Sequence, residues 1–282
     1  MKNVPLLPNV ITAFGLSCGL FAIFKMNMTE TGAVTYQTLL VVAGILLLAC
    51  LADLLDGAVA RAMKAESDFG GLFDSLADAI TFGVGPSVIV LKSLSIPPKT
   101  DLSFFVTTAA MIFSVCGVLR LVRFSVMARK AKGDQELADA HNKNFTGLPI
   151  PMGAAAAVSA NLFFYSDEFR HVFTLGETAH AWTMIIMLVI LGYFMICRWK
   201  FPSLKNLHVR VASFKIVFLT VLVAVLLFYG MINYFAVVFF LISWGYIVVA
   251  AILSIVRLIS GRKSKVLEEF EPDPEDDLDL EE

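Results

Sequence analysis

Asp53-Leu54-Leu55-Asp56-Gly57-Ala58-Val59-Ala60-Arg61 is followed, after a polar link, by Gly70-Gly71-Leu72-Phe73-Asp74-Ser75-Leu76-Ala77-Asp78. Four carboxylates and an arginine thus sit where two strongly apolar segments meet. An acid inside or at the edge of a membrane span costs roughly 2.5–3.5 kcal/mol on insertion scales. One acid at a helix end needs only solvation. Four together need an offsetting partner, and a divalent cation suits them, because oxygen ligands match magnesium, manganese or calcium.

The spacing supports such a site. On a helix advancing 100° per residue, Asp53, Asp56, Gly57, Ala60 and Arg61 share a face about 140° wide. Leu54, Leu55, Ala58 and Val59 point elsewhere. Gly70, Asp74, Asp78, Thr81 and Gly85 form a second stripe. Two helix ends joined by a short loop can bring the stripes face to face.

The apolar segments extend through the chain. It has 282 residues, 58% of them hydrophobic, and a mean hydropathy of +0.78. That is far from a soluble domain. Eight spans are expected, near residues 9–26, 33–61, 73–93, 104–127, 150–165, 181–197, 211–229 and 232–259. The last two are separated by a tight turn at Gly230. The fold class is therefore all-α and integral to the membrane, with about eight transmembrane helices and the candidate site at the ends of helices 2 and 3. Residues 1–260 form the membrane domain. Residues 268–282 hold ten acids and no base, so 261–282 reads as an acidic, disordered tail.

Orientation follows from the bases. With the N-terminus in the cytoplasm, eighteen Lys and Arg lie on the cytoplasmic side. Lys25, Lys92, Lys99 and Arg170 lie opposite. This bias puts the aspartates and both termini in the cytoplasm and the chain in the cytoplasmic membrane. Cys18, Cys50, Cys116 and Cys197 each fall in an apolar run with no CxxC pair, so neither a disulfide nor a zinc site is expected. The first apolar run exceeds signal-peptide length. No histidine has a serine or cysteine partner at useful spacing.

Asp53-x2-Asp56-Gly57-x2-Ala60-Arg61-x8-Gly70-x3-Asp74-x3-Asp78 resembles the signature of the CDP-alcohol phosphotransferase family at all eight positions. Four further runs are similar to its phosphatidylserine synthase branch. These are Pro8-Asn9-x-Ile11-Thr12, Asp78-x3-Phe82-Gly83-Val84-x-Pro86, Leu119-Arg120-Leu121-x-Arg123-Phe124 and Phe145-x-Gly147-Leu148-Pro149-x-Pro151. The third departs from the branch at Ser125, where an asparagine is expected.

The resemblance implies transfer of the phosphatidyl group of CDP-diacylglycerol to L-serine, with release of CMP. It implies two Mg2+ or Mn2+ ions, one held by Asp53, Asp56 and Asp74 and the other by Asp53, Asp74 and Asp78. It makes Asp78 the general base, and Gly57, Ala60, Arg61 and Gly70 the CDP-lipid contacts. Arg120, Arg123 and Asn144 are candidates for the acceptor or a phosphate. A homodimer among membrane lipids is implied, with no nucleic-acid partner. Other acceptors (choline, glycerol phosphate, inositol phosphate) and an archaeal ether-lipid donor remain open. A cation-coupled transporter is the rival from another class, since intramembrane acids also line ion paths. No internal repeat supports it.

Overall fold

The computed structural model describes residues 6–30, 32–63, 67–131, 145–173, 176–197, 200–201 and 214–260. The acidic tail and Asn144 lie outside them. The elements are α1 (Leu6–Met28), α2 (Tyr36–Ala62), α3 (Asp68–Asp78), a π-helical turn (Ala79–Val84), α4 (Gly85–Ser93) and α5 (Asp101–Ala131). They continue with α6 (Ile150–Tyr165), α7 (Asp167–Val172), α8 (Glu177–Ile196), α9 (Phe214–Asn233) and α10 (Phe235–Ser260). Two-residue strands β1 (Phe145–Thr146) and β2 (Lys200–Phe201) pair antiparallel. Among the described residues, six helical stretches are long and apolar enough to cross a membrane, and Ile150–Tyr165 and Val221–Asn233 are shorter apolar helices. Large apolar side chains such as Phe21, Leu51 and Ile186 remain exposed on the outside of the bundle, as lipid contact requires.

Of the boundaries that shift from the sequence expectation, two have a visible local cause. The third span starts at Asp68, not near Phe73, because the Ser67 hydroxyl caps the helix by accepting from the Gly70 N–H. The tight turn falls at Tyr234 instead of Gly230. Gly230 stays helical, and its missing Cβ, which would lie 2.8 Å from Val238 Cγ2, lets α10 fold back closely on α9.

The π-turn has a local cause. Pro86 has no N–H, and its ring crowds the carbonyl four residues back. The helix widens ahead of it, so that the Gly85 N–H donates to Ile80 O. Serines then tie α4 and the π-turn to α5. Ser87 Oγ donates to Ala110 O at 2.9 Å, and Ser114 Oγ to Gly83 O at 3.0 Å. The Ala-rich α6 is the hub of the core, with eleven of its sixteen residues buried. Small side chains let several helices approach it at once, and Trp244 Nε1 donates to its Ala156 O at 3.0 Å.

The segment entering α6 is fixed from several sides. The Leu148 N–H donates to Phe194 O at 2.8 Å, and Arg123 Nη1 to Ile196 O at 2.9 Å. Gly147 between them has φ +82°, and a Cβ there would sit 2.6 Å from Met195 O. Gly147→Ala is expected to destabilise the protein by about 2 kcal/mol. Gly176, which has open space around its Cβ position, is the control. Thermal unfolding in detergent checks this, with Gly147→Ala melting well below Gly176→Ala.

Candidate active site

The site forms where the C-terminal end of α2 meets the C-terminal half of α3 and the N-terminal half of α1. From α2, Asp53 and Asp56 project one turn apart. From α3 and its junction with the π-turn come Asp74 and Asp78. Carboxylate oxygens of Asp53, Asp56 and Asp74 all lie within 4.8 Å of one another. Asp53 is within hydrogen-bond reach of both Asp74 and Asp78. At that separation carboxylates share either a proton or a cation. All four line one small cavity with Thr12, Gly15 and Thr81.

α1 supplies the wall, and Thr12 is its key contact. Its hydroxyl donates to Asp56 Oδ2 at 2.6 Å, and its oxygen also lies 3.1 Å from Pro8 O. Both partners are nearly buried, Thr12 at 6% and Asp56 at 5% exposure. This bond fixes which Asp56 oxygen faces the cluster. Thr81, on the π-turn, is 2% exposed, and its Oγ1 has no hydrogen-bond partner among the described residues. It presses on Gly19, where a Cβ would come within 2.3 Å of that oxygen, so glycine there lets α1 close on the site.

The remaining sequence candidates fall at the edge. Arg61 is exposed and folds back toward Gly57, with Nη1 3.4 Å from where a Cβ would stand. Gly70 lies against Asn9 Oδ1, 3.2 Å from its Cβ position. Ala60 is half-buried one turn beyond Asp56. Arg120 is buried, and near enough to Asp78 for their charges to attract. Its Nε has no hydrogen-bond partner among the described residues. Arg123 shares its helix face but not its role, since it donates to the carbonyl at the end of α8. Ser125 pairs with Ser75 across the α3–α5 gap at 3.2 Å.

Sequence reading gave Thr12 no role and left Thr81 as one member of a stripe. The signal for Thr12 was the Pro8-Asn9-x-Ile11-Thr12 run. Which oxygen it would meet depends on how α1 packs on α2, and spacing within one helix does not encode that.

Chemically, hard oxygens grouped beside a buried arginine suit a divalent cation and a phosphorylated ligand. A family model described as CDP-alcohol phosphatidyltransferase matches residues 5–196. A CDP-diacylglycerol–serine O-phosphatidyltransferase of Helicobacter pylori is 30% identical over 256 residues, 88% of this chain and 95% of that protein. The Bacillus subtilis protein of that name is 30% identical over 71% of this chain and 92% of its own. The one from Methanocaldococcus jannaschii is 30% identical over 56% of this chain and 62% of its own.

Residues that orient metal ligands typically carry tenfold to hundredfold of metal affinity, so Thr12→Val is expected to weaken Mn2+ binding by about that factor. Thr12→Ser should keep it. Manganese titration followed by electron paramagnetic resonance reads both directly, and an unchanged affinity in Thr12→Val would refute the orienting role.

Proposed function

The chain belongs to the CDP-alcohol phosphatidyltransferase family, and we propose that it transfers the phosphatidyl group of CDP-diacylglycerol to L-serine, giving phosphatidylserine and CMP. The observation that carries this reading is the convergence of the Asp53, Asp56 and Asp74 oxygens in a cavity that Asp78 also lines. Serine as acceptor rests on the activity of the relatives from Helicobacter pylori and Bacillus subtilis.

The donor set fits hard divalent cations, all oxygen and with one member oriented by Thr12. Mg2+ or Mn2+, one ion held by Asp53, Asp56 and Asp74 and a second by Asp53, Asp74 and Asp78, would neutralise the diphosphate and the charge developing on it.

The side chains divide the remaining work. Arg61 offers its paired N–H groups to the diphosphate at the open edge of the site. Gly57, Ala60 and Gly70 are small enough for nucleotide to lie close to backbone. Asp78 accepts the proton of the serine hydroxyl as that oxygen bonds to the phosphatidyl phosphorus. The bond from that phosphorus to the bridging oxygen breaks, and the oxygen leaves on CMP with the electron pair. Arg120 is the buried cation beside Asp78 and takes the serine carboxylate. Arg123 holds the end of α8 in place behind it.

The excess of bases on the aspartate side supports a cytoplasmic site in the cell membrane, with both termini in the cytoplasm. CDP-linked lipid and free serine meet there. A homodimer accords with the family resemblance, and the mass of the detergent-solubilised particle tests it.

CMP release by the purified protein tests the reading. Release should require CDP-diacylglycerol, serine and Mg2+ or Mn2+, and EDTA should abolish it. Choline, glycerol phosphate or inositol phosphate supporting release in place of serine would overturn the acceptor. Asp78→Asn should lower kcat by about 100-fold or more while CDP-lipid binding persists. Arg61→Ala should instead raise KM for CDP-diacylglycerol roughly tenfold or more.

A further inference from the structure

A second cavity, of about 330 Å3, opens at the end of the bundle away from the aspartates. It lies where the α1–α2 connection, the end of α4, the α6–α7 corner and the start of α8 converge. Along the helix axis, Ser93 at this end is about 20 Å from Asp78. The transfer reaction uses none of the groups here.

Tyr165 lines the cavity, and buried polar side chains behind it hold it in place. Tyr165 donates its hydroxyl to Ser93 O, and Ser93 Oγ donates to Asn161 Oδ1 at 3.0 Å. Ser93 and Asn161 are fully buried. This network fixes Tyr165, and Tyr165 in turn places two cationic or polar groups. The Arg170 guanidinium carbon sits over its ring, 5.1 Å from the centroid. A guanidinium resting on a ring keeps its N–H edge for an oxyanion. The His180 ring stands edge-on to Phe164 and Tyr165, at 5.1 and 5.7 Å. Its Nε2 is buried and without a hydrogen-bond partner among the described residues. A buried polar atom of this kind ordinarily has a partner. Arg170 and His180 both line the cavity, and so does Glu177. The rest of the wall is mostly aromatic or aliphatic, including Phe169 and Leu94.

The lining selects the ligand. An anion alone would meet the Glu177 carboxylate, and a cation alone would meet Arg170. A group carrying one charge of each sign satisfies both, and the apolar rim suits acyl chains. We propose that this cavity binds the zwitterionic headgroup of a phospholipid from the leaflet opposite the aspartates. The phosphate lies on Arg170 and His180, and the ammonium lies on Glu177. His180 Nε2 carries the proton and donates it to a phosphate oxygen, which can only accept.

Native mass spectrometry of the delipidated full chain tests this. EDTA is present, so that the aspartates hold no metal. The probes are phosphatidylethanolamine, phosphatidylglycerol, diacylglycerol and inorganic phosphate. A one-to-one phosphatidylethanolamine adduct is expected, at least tenfold more abundant than that of either other lipid. Arg170→Ala should lose it about tenfold. Glu177→Gln, an isosteric change on an exposed side chain, should reduce phosphatidylethanolamine to the level of phosphatidylglycerol. Both variants should release CMP at the wild-type rate, and Asp53→Ala should keep the adduct. Equal retention of all three lipids, or an adduct unchanged in Arg170→Ala, would overturn the proposal. Binding of inorganic phosphate with no lipid adduct would overturn the lipid as its source.

Discussion

Four carboxylates crowded into the side of a helix bundle repel one another, and the surrounding structure is arranged to hold them together. The repulsion is strong where water is scarce, because few dipoles screen it. That repulsion pushes α2 and α3 apart. α1 opposes this by packing on both helices and on the π-turn, where Thr12 ties Asp56 and Gly19 admits Thr81. The arrangement is organised for positive charge, and Arg120 supplies only part of it. A rigid cage of like charges is the form that a cation site takes when its ligands are set before the ion arrives.

The rest of the fold transmits this rigidity. Within lipid, apolar contact between helices brings little hydrophobic gain, so close packing and hydrogen bonds must hold them. The chain uses both. Serines join α4 and the π-turn to α5, an indole joins α10 to α6, and an alanine-rich helix brings their backbones near. Arg123 and Gly147 fasten the segment that enters α6 to the end of α8. Helix α5, which carries Arg120, is thereby held from both sides. One end of the bundle holds the four aspartates, and the opposite end holds a separate polar cavity.

Much of this was legible in the sequence, and the parts that were not have a common cause. Eight apolar runs are a property of composition along the chain. The aspartate spacing is a property of one helix at a time. Both could therefore be read without the fold. The start of α3 was also present in the sequence, as Ser67 followed by Asp68, but the apolar run begins later and masked it. The π-turn required weighing Pro86 against the carbonyl it crowds. The opposite fates of Arg120 and Arg123 depended on the end of α8, some seventy residues away. Gly230 looks like a turn by residue type, yet its space is used by Val238 from the next helix. In each case the deciding atom belongs to another element.

We propose that Asp53, Asp56, Asp74 and Asp78 form one cation-binding cage. Counting Mn2+ on the purified protein by electron paramagnetic resonance tests it most directly. Two ions per chain are expected, close enough for their spins to couple, with loss of the coupled signal in Asp53→Ala, because Asp53 faces both Asp74 and Asp78. Folded protein that binds no Mn2+, or Asp53→Ala with the wild-type signal, would contradict it.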